Sequence, residues 1–124
     1  MNGTIRHTLP KQERLCGKTG ISKLLATGKH GNVPGLRYLC LYGSEAEITR
    51  IMVSVPKKLF KRAVKRNLLK RRIRESWRKQ KHDLRIEGNV DILFMYSVKE
   101  ILSYDEIYAA VGQIIENING KYGA

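Results

Sequence analysis

The strongest constraint on this chain is the stretch 57–81, KKLFKRAVKRNLLKRRIRESWRKQK. Thirteen of its 25 residues are Lys or Arg, and only Glu75 is acidic. A folded core cannot hold so many like charges, so these side chains must face solvent or a polyanion. The whole chain has 24 Lys and Arg against 11 Asp and Glu, a formal net charge of +13. This excess favours a nucleic-acid phosphate backbone as the partner.

The charges in this stretch follow a helical order. At about 100° per residue, Leu69, Ile73, Ser76 and Trp77 share one narrow helix face, and we assign Trp77 to the core. A neighbouring arc carries Arg66, Asn67, Lys70, Arg71, Arg74 and Arg78. Most charge runs are solvated helix faces. Like charges along a helix repel one another by a few tenths of a kcal/mol per pair, and this stretch has hardly any acidic residues to offset that repulsion. We therefore favour a polyanionic ligand.

Length and composition predict one intracellular domain over residues 1–124, with a loose segment at 1–15. No run approaches the ~18 apolar residues that cross a bilayer, and the first residues lack the apolar core of a signal peptide. Cys16 and Cys40 fit a reduced compartment as two buried thiols, although a bridge between them is possible. No Cys/His cluster suggests zinc.

Apolar periodicity and turn residues predict the order of the elements. The expected elements are a short helix at 21–27 ended by Gly28, a loop at 28–36, a strand at 37–42, a turn at 43–47, a strand at 50–55, the basic helix at 62–81, a strand at 90–96 and a final helix ended by Gly120. Ser103 and Glu106 have the spacing of a capping box that opens the final helix. The apolar stripe of that helix is Ile107, Ala110, Val111, Ile114, Ile115 and Ile118. The strand–helix–strand run at 51–96 implies a mixed sheet with helices packed on it.

The sequence offers no catalytic constellation. His7, His30 and His82 have no acid or nucleophile at motif spacing, and we interpret them as surface residues. Asp91 and Asp105 form no metal-binding set with other carboxylates, and no Gly-rich phosphate loop occurs. If the protein takes part in catalysis, we therefore expect a partner to supply the chemistry.

Residues 61–75, KRAVKRNLLKRRIRE, closely resemble the signature of the protein subunit of bacterial ribonuclease P. The match includes an R-N-x-x-K-R-x-x-R core made of Arg66, Asn67, Lys70, Arg71 and Arg74. VSVPKK at 53–58 is similar to the family's strand end and following turn. DIL at 91–93 and SYDE at 103–106 fit later elements, and LPK at 9–11 with Gly28 fits weaker landmarks.

This resemblance implies both a fold and an activity. The implied fold is an α/β (α+β) sandwich, with a small mixed four-stranded sheet, about three helices and a left-handed β-α-β crossover, against the usual handedness. The implied function is to help a large catalytic RNA cut the 5′ leader from precursor tRNA, leaving a 5′ phosphate on the product. The RNA, not a protein side chain, then holds the catalytic Mg²⁺. The expected partners are that RNA and precursor tRNA, without DNA or membrane, in the cytoplasm.

The resemblance also implies a surface that binds the catalytic RNA. Arginine suits such a surface, because guanidinium groups bridge phosphates in bidentate fashion. The residues assigned to it are Lys57, Lys58, Arg62, Arg66, Asn67, Lys70, Arg71, Arg74 and Arg78. Asn67 supplies a donor and an acceptor, and the alternative is that it only ends or adjusts a helix turn.

A second implied surface holds the leader, between the first helix and one face of the sheet. The residues assigned to it are Ile21, Leu25, Tyr38, Cys40 and Tyr42. The tyrosines would stack on bases, whereas Ile21 and Leu25 stand where the family usually has Phe, which weakens stacking. The alternative for the tyrosines is ordinary sheet packing.

Two other functions are consistent with part of the sequence. A different small basic RNA-binding protein, such as a ribosomal protein, would explain the charge but not the extended motif with its flanking strands. A nuclease with its own active site would require a His or Asp cluster, and the sequence offers none.

Overall fold

One mixed four-stranded sheet organises the chain, of which the computed structural model describes residues 18–43 and 48–123. The strands are β1 Lys29–Val33, β2 Leu36–Tyr42, β3 Arg50–Ser54 and β4 Val90–Tyr96. Their spatial order is β1-β2-β4-β3. β2 pairs antiparallel with both β1 and β4, whereas β3 and β4 are parallel.

Helices cover both faces of this sheet. They are α1 Lys18–Thr27, α2 Ala63–Gln80 and α3 Tyr104–Tyr122, with a single 3₁₀ turn at Lys81–Asp83 after α2. α2 connects the parallel strands β3 and β4, and it packs with α3 on one face, while α1 packs on the other face over β2. The predicted mixed sheet with about three helices is confirmed. The left-handed crossover stays a prediction.

The main core lies between the sheet and the α2–α3 layer. α2 buries Leu69, Ile73 and Trp77 there, each at most 2% exposed. α3 adds the whole predicted stripe, Ile107, Ala110, Val111, Ile114, Ile115 and Ile118, all buried. A smaller cluster on the opposite face joins Leu24 of α1 to Leu39 and Leu93. The sheet is therefore apolar on both faces, as expected for a layer covered on both sides.

The interpretation of residues 28–36 as a loop is wrong, because β1 and a tight turn occupy this segment. β1 reads KHGNV and is an edge strand held by its backbone ladder to β2. Gly31 is needed there, since a Cβ would lie 2.2 Å from the ring of Tyr38. Pro34 and Gly35 form the turn, and Gly35 has a φ of +89°, which suits glycine. In the sequence, the Pro34-Gly35 pair was the feature that indicated a hairpin turn at this position.

Most other elements follow the sequence prediction. The basic helix, the strand at 90–96 and the capping box are confirmed: Ser103 Oγ accepts from the Glu106 backbone N–H at 3.2 Å, and Glu106 Oε1 accepts from that of Ser103 at 3.0 Å. α3 passes through Gly120, which keeps a negative φ, and ends at Tyr122. The predictions for residues 1–15, for Cys16 and for most of the turn at 43–47 concern positions outside the described residues.

Among the described residues, no helix is long and apolar enough to cross a membrane. Cys40 is a buried free thiol. The buried thiol expected for Cys40 agrees with this. Cys16, and with it the alternative of a bridge between the two cysteines, lies outside the described residues.

Trp77→Ala should lower the free energy of unfolding by about 3–5 kcal/mol, because it removes a large side chain that is only 2% exposed. Urea denaturation followed by far-ultraviolet circular dichroism measures this change. Arg71→Ala is the matched control on the same helix, since Arg71 is exposed, and it should change the value by less than about 0.5 kcal/mol. A larger loss for Arg71→Ala than for Trp77→Ala would mean that the two faces of α2 are reversed.

Candidate nucleic-acid interface

One side of α2 forms a continuous polar strip, which we call the basic face: Asn67, Lys70, Arg71, Arg74 and Arg78. Asn67, Arg71 and Arg78 are exposed, and Lys70 and Arg74 are half-buried. The buried stripe of Leu69, Ile73 and Trp77 anchors the other side of the same helix. The basic face therefore points away from the core over about three helical turns, as its sequence pattern predicts. Asn67 lies within the helix and does not end it.

Arg66 differs from the other arginines of the motif, because its guanidinium is engaged within the protein. Nη1 donates to the carbonyl oxygen of Phe60 at 2.7 Å and to that of Lys61 at 2.8 Å. These bonds tie the start of α2 to the loop that precedes it. Arg66 therefore has a structural role in addition to its place in the motif. Helical periodicity alone does not reveal this role.

Arg78 and Arg72 are also engaged by protein partners. Arg78 makes a bidentate ion pair with Glu75, with N–O distances of 2.9 and 2.7 Å, and the pKa of Arg78 is raised, mainly by this hydrogen bonding. Arg72, on the side facing α3, donates to the carbonyl oxygen of Leu102. Arg72 therefore fastens α2 to the loop before α3, consistent with its absence from the predicted RNA-binding set.

More positive charge collects at the N-terminal end of α2. Lys57, Lys58 and Arg62 are all exposed there. The first turn of α2 contains no acidic residue, and Arg62 makes no side-chain cap. The partial positive charge of the helix N-terminus therefore adds to these side chains and extends the potential of the basic face.

The predicted leader surface is wrong in its sheet residues. Tyr38 and Cys40 point into the core beneath α2 and α3, and they are 8% and 2% exposed. α1 contacts the opposite face of the sheet, so Leu25 and the tyrosines do not line one groove. Leu25 itself is 59% exposed on α1. The side chain of Ile21 lies outside the described part of the chain.

Tyr42 and Cys40 have partners in α3 instead. The ring of Tyr42 stacks on Tyr122 with centroids 4.6 Å apart, and its hydroxyl donates to the Glu87 carbonyl oxygen. Burial raises the pKa of the Cys40 thiol, which opposes thiolate formation. Tyr38 and Tyr42 therefore have packing partners on the side of the sheet that faces α3, in line with the alternative of ordinary sheet packing that the sequence left open for the tyrosines.

The face of the sheet beneath α1 carries a second set of side chains, opposite to the tyrosines of β2. The paired strands place its side chains in three rows: Arg37, Met95 and Ser54; Leu39, Leu93 and Met52; Leu41, Asp91 and Arg50. Leu41, Met52 and Met95 are only partly buried, because α1 lies over β2 and no other described residue covers the side toward β3. We call this strip of Leu41, Met52 and Met95, which lies beside α1, the groove.

Cationic side chains stand at both ends of the groove. Arg37 is exposed at one end, and Arg50 lies at the other. Asp91, 2% exposed, fixes Arg50 through N–O distances of 3.0 and 2.8 Å. Sequence analysis missed these residues, although the alternation of Leu39 and Leu41 with the tyrosines of β2 indicated a second apolar face.

The described residues contain no group of three or more His, Cys, Asp or Glu side chains placed to hold a metal ion. His30 is exposed on β1, and His82 is exposed with only a 3.6 Å contact to Asp83. His7 belongs to the part that is not described.

Comparison with known proteins gives one consistent family. A family model described as Ribonuclease P matches residues 9–119. The chain is similar to a ribonuclease P protein component of Porphyromonas gingivalis, with 36% identity over 120 residues, 91% of this chain and 88% of the relative. A ribonuclease P protein component of Chlorobaculum tepidum is 28% identical over 130 residues, 90% of this chain and 83% of the relative.

Solved structures agree in fold. The RNase P protein of Staphylococcus aureus matches with a TM-score of 0.71 at 22% identity, covering 85% of this chain and 94% of that one. The RNase P protein of Thermotoga maritima matches with a TM-score of 0.72 at 22% identity, covering 86% and 97% of the two chains.

Arg66→Ala and Arg71→Ala should separate folding from binding. Arg66→Ala should lower the free energy of unfolding by about 1–2 kcal/mol, because two backbone carbonyls lose their donor. Arg71→Ala should leave stability within about 0.5 kcal/mol and should reduce the salt dependence of RNA binding by about one unit of log–log slope. Urea titration and filter binding at several salt concentrations measure the two effects. An unchanged salt slope in Arg71→Ala would remove Arg71 from the phosphate-contacting set.

Proposed function

Because this chain belongs to the family of ribonuclease P protein components, we propose that it binds the catalytic RNA of ribonuclease P through the basic face and the 5′ leader of precursor tRNA in the groove. In this proposal the RNA carries out the endonucleolytic cleavage that leaves a 5′ phosphate on mature tRNA. The observation that carries it is the ordered basic face of α2, anchored to the core by the buried stripe on the other side of the helix.

The basic face suits a folded RNA better than a small anion. Its side chains are spread along about three turns, roughly 16 Å at 1.5 Å per residue, so they match several successive phosphates. Guanidinium groups on this strip can each engage two phosphate oxygens, and Asn67 can both donate and accept. Lys57, Lys58 and Arg62 extend the same positive potential beyond the start of the helix.

The groove suits an extended single strand. Its floor of Leu41, Met52 and Met95 is apolar and partly exposed, which favours contact with unstacked bases. Arg37 and Arg50 lie at its two ends, where they can meet phosphates of the same strand. The Arg50–Asp91 pair keeps one of these cations in a fixed position. No aromatic side chain belongs to the three rows, so we infer weaker stacking than an aromatic floor would give.

We assign the catalytic Mg²⁺ ions to the RNA and none to a protein side chain. The protein contributes positive electrostatic potential, which lowers the repulsion between the phosphate backbones of the catalytic RNA and of precursor tRNA. It therefore reduces the Mg²⁺ concentration that the two RNAs need in order to assemble. We infer that the protein acts in the bacterial cytoplasm with RNA partners and without DNA.

Precursor tRNA should stay intact when incubated with the pure protein alone, and should be cut at the 5′ maturation site when a bacterial ribonuclease P RNA is added. At low Mg²⁺ the protein should raise the rate over that of the RNA alone. Denaturing gel electrophoresis of end-labelled substrate measures both. Specific 5′ maturation by the protein without RNA would contradict the proposal, and recovery of the protein with ribosomal subunits rather than this RNA would favour the alternative of a ribosomal protein.

Arg37→Ala should weaken binding of leader-bearing precursor tRNA to the assembled holoenzyme by about 1–2 kcal/mol, because a charged contact in the groove is lost. Binding of mature tRNA, which has no leader, should stay unchanged. Tyr42→Ala is the matched control from the opposite face of the sheet, and it should leave the ratio of the two affinities as in the wild type. If Tyr42→Ala changes the ratio and Arg37→Ala does not, the leader lies on the tyrosine side.

A further inference from the structure

Glu75 is the only acidic residue in the basic stretch 57–81, and it lies within α2 beside the basic face. At 100° per residue it falls about 40° from Arg71 around the helix axis. An anion at this position repels the phosphates that the neighbouring cations attract, so it lowers the affinity for any RNA. The contacts of Glu75 indicate what offsets this loss.

The carboxylate of Glu75 is held by two cations of its own helix. Oε1 accepts from Arg78 Nε at 2.9 Å, and Oε2 accepts from Arg78 Nη2 at 2.7 Å. Lys79 Nζ lies 3.9 Å from the same Oε2 and 5.8 Å from the ring centroid of Tyr104 on α3. The side chain of Glu75 is only 16% exposed. Glu75 therefore gives Arg78 a fixed and largely enclosed partner.

This ion pair uses one edge of the Arg78 guanidinium and leaves another. A guanidinium carries five N–H donors in one plane. Glu75 takes the hydrogen on Nε and one hydrogen on Nη2, so the outer fork, with one hydrogen each on Nη1 and Nη2, is not used by this ion pair. The Arg78 side chain is 43% exposed. Since such a fork matches two phosphate oxygens, Arg78 can bind Glu75 and a phosphate at the same time.

An arginine at the end of the groove is held in the same way. Asp91 accepts from Arg50 Nε at 3.0 Å and from Arg50 Nη2 at 2.8 Å. Each of the two proposed RNA surfaces thus contains one arginine that a carboxylate holds by the same two nitrogens. This repetition favours a role in presenting the guanidinium over a chance ion pair on α2.

We propose that Glu75 is a positioning residue that makes the basic face selective for the folded catalytic RNA. It fixes Arg78 so that the outer fork meets one phosphate at a defined place, and it removes one positive charge from the face. A folded RNA with a phosphate at that place binds without having to order a flexible side chain. Any other RNA meets only the reduced charge. The inference rests on the proposed RNA-binding function and adds discrimination between RNAs to it.

Glu75→Gln tests this role, because it keeps the shape of the side chain and removes its charge. Filter binding at one salt concentration compares a bacterial ribonuclease P RNA with a forty-nucleotide oligouridylate. The substitution should tighten oligouridylate binding about twofold, because an anion is lost. It should weaken binding of the catalytic RNA about threefold, because Arg78 becomes mobile. Glu116→Gln removes the same charge from an exposed position on α3, and it should leave the ratio of the two affinities as in the wild type.

A double-mutant cycle shows whether Glu75 acts through Arg78. In an Arg78→Ala background, Glu75→Gln should tighten binding of both RNAs alike. In an Arg71→Ala background it should still weaken the catalytic RNA about threefold, because Arg71 has no part in the ion pair. Glu75→Asp keeps the charge but shortens the side chain, so it should weaken the catalytic RNA without tightening oligouridylate. This variant decides the question if Glu75→Gln does not fold.

The possible failures can be told apart. An unchanged ratio of affinities in Glu75→Gln would make Glu75 a simple surface charge and overturn the proposal. A weakening of the catalytic RNA that persists in the Arg78→Ala background would also overturn it, since Glu75 would then act without Arg78. If the wild-type protein binds the catalytic RNA no better than oligouridylate, the proposed function itself is contradicted.

Discussion

The packing of Leu69, Ile73 and Trp77 against the sheet and α3 fixes the rotation of α2 about its own axis, and the proposed RNA surface depends on that rotation. Burial of each such side chain stabilises the fold by about 1.5–3 kcal/mol. Separating one pair of like charges along the helix would stabilise it by only a few tenths of a kcal/mol. The helix therefore keeps its apolar stripe inward and holds the cations of the basic face together. Without a ligand those cations repel one another, and a polyanion removes the repulsion.

The sheet separates the two proposed RNA surfaces. α2 and α3 take one face of it, and α1 takes part of the other, so the two proposed surfaces face different sides of the sheet. β3 and β4 connect the sides, because the chain passes directly from β3 into the loop before α2 and returns through β4. The basic face and the groove are thus joined through one sheet.

Elements set by local patterns could be predicted from the sequence, whereas those set by distant partners could not. The limits of α2 and β4 follow from periodicity, and the start of α3 follows from Ser103 and Glu106, residues three apart. β1 was not predicted, because its sequence KHGNV has few strand-forming residues and the strand depends on its pairing with β2. Both faces of β2 are apolar. The alternation of its side chains therefore shows that the strand has two buried faces, but it does not show which of them α1 covers. The Arg50–Asp91 pair joins residues 41 apart in the chain, and no local signal marks it.

The most direct test is site-specific photocrosslinking in the assembled holoenzyme with precursor tRNA. Benzoylphenylalanine replaces Arg71 on the basic face or Leu25 on α1, the helix beside the groove, both exposed, with the exposed Glu116 of α3 as the control. Position 71 should crosslink to the catalytic RNA, position 25 should crosslink to the 5′ leader, and position 116 should crosslink to neither. Crosslinks of position 71 to the leader, or of position 25 to the catalytic RNA alone, would contradict the assignment of the two surfaces.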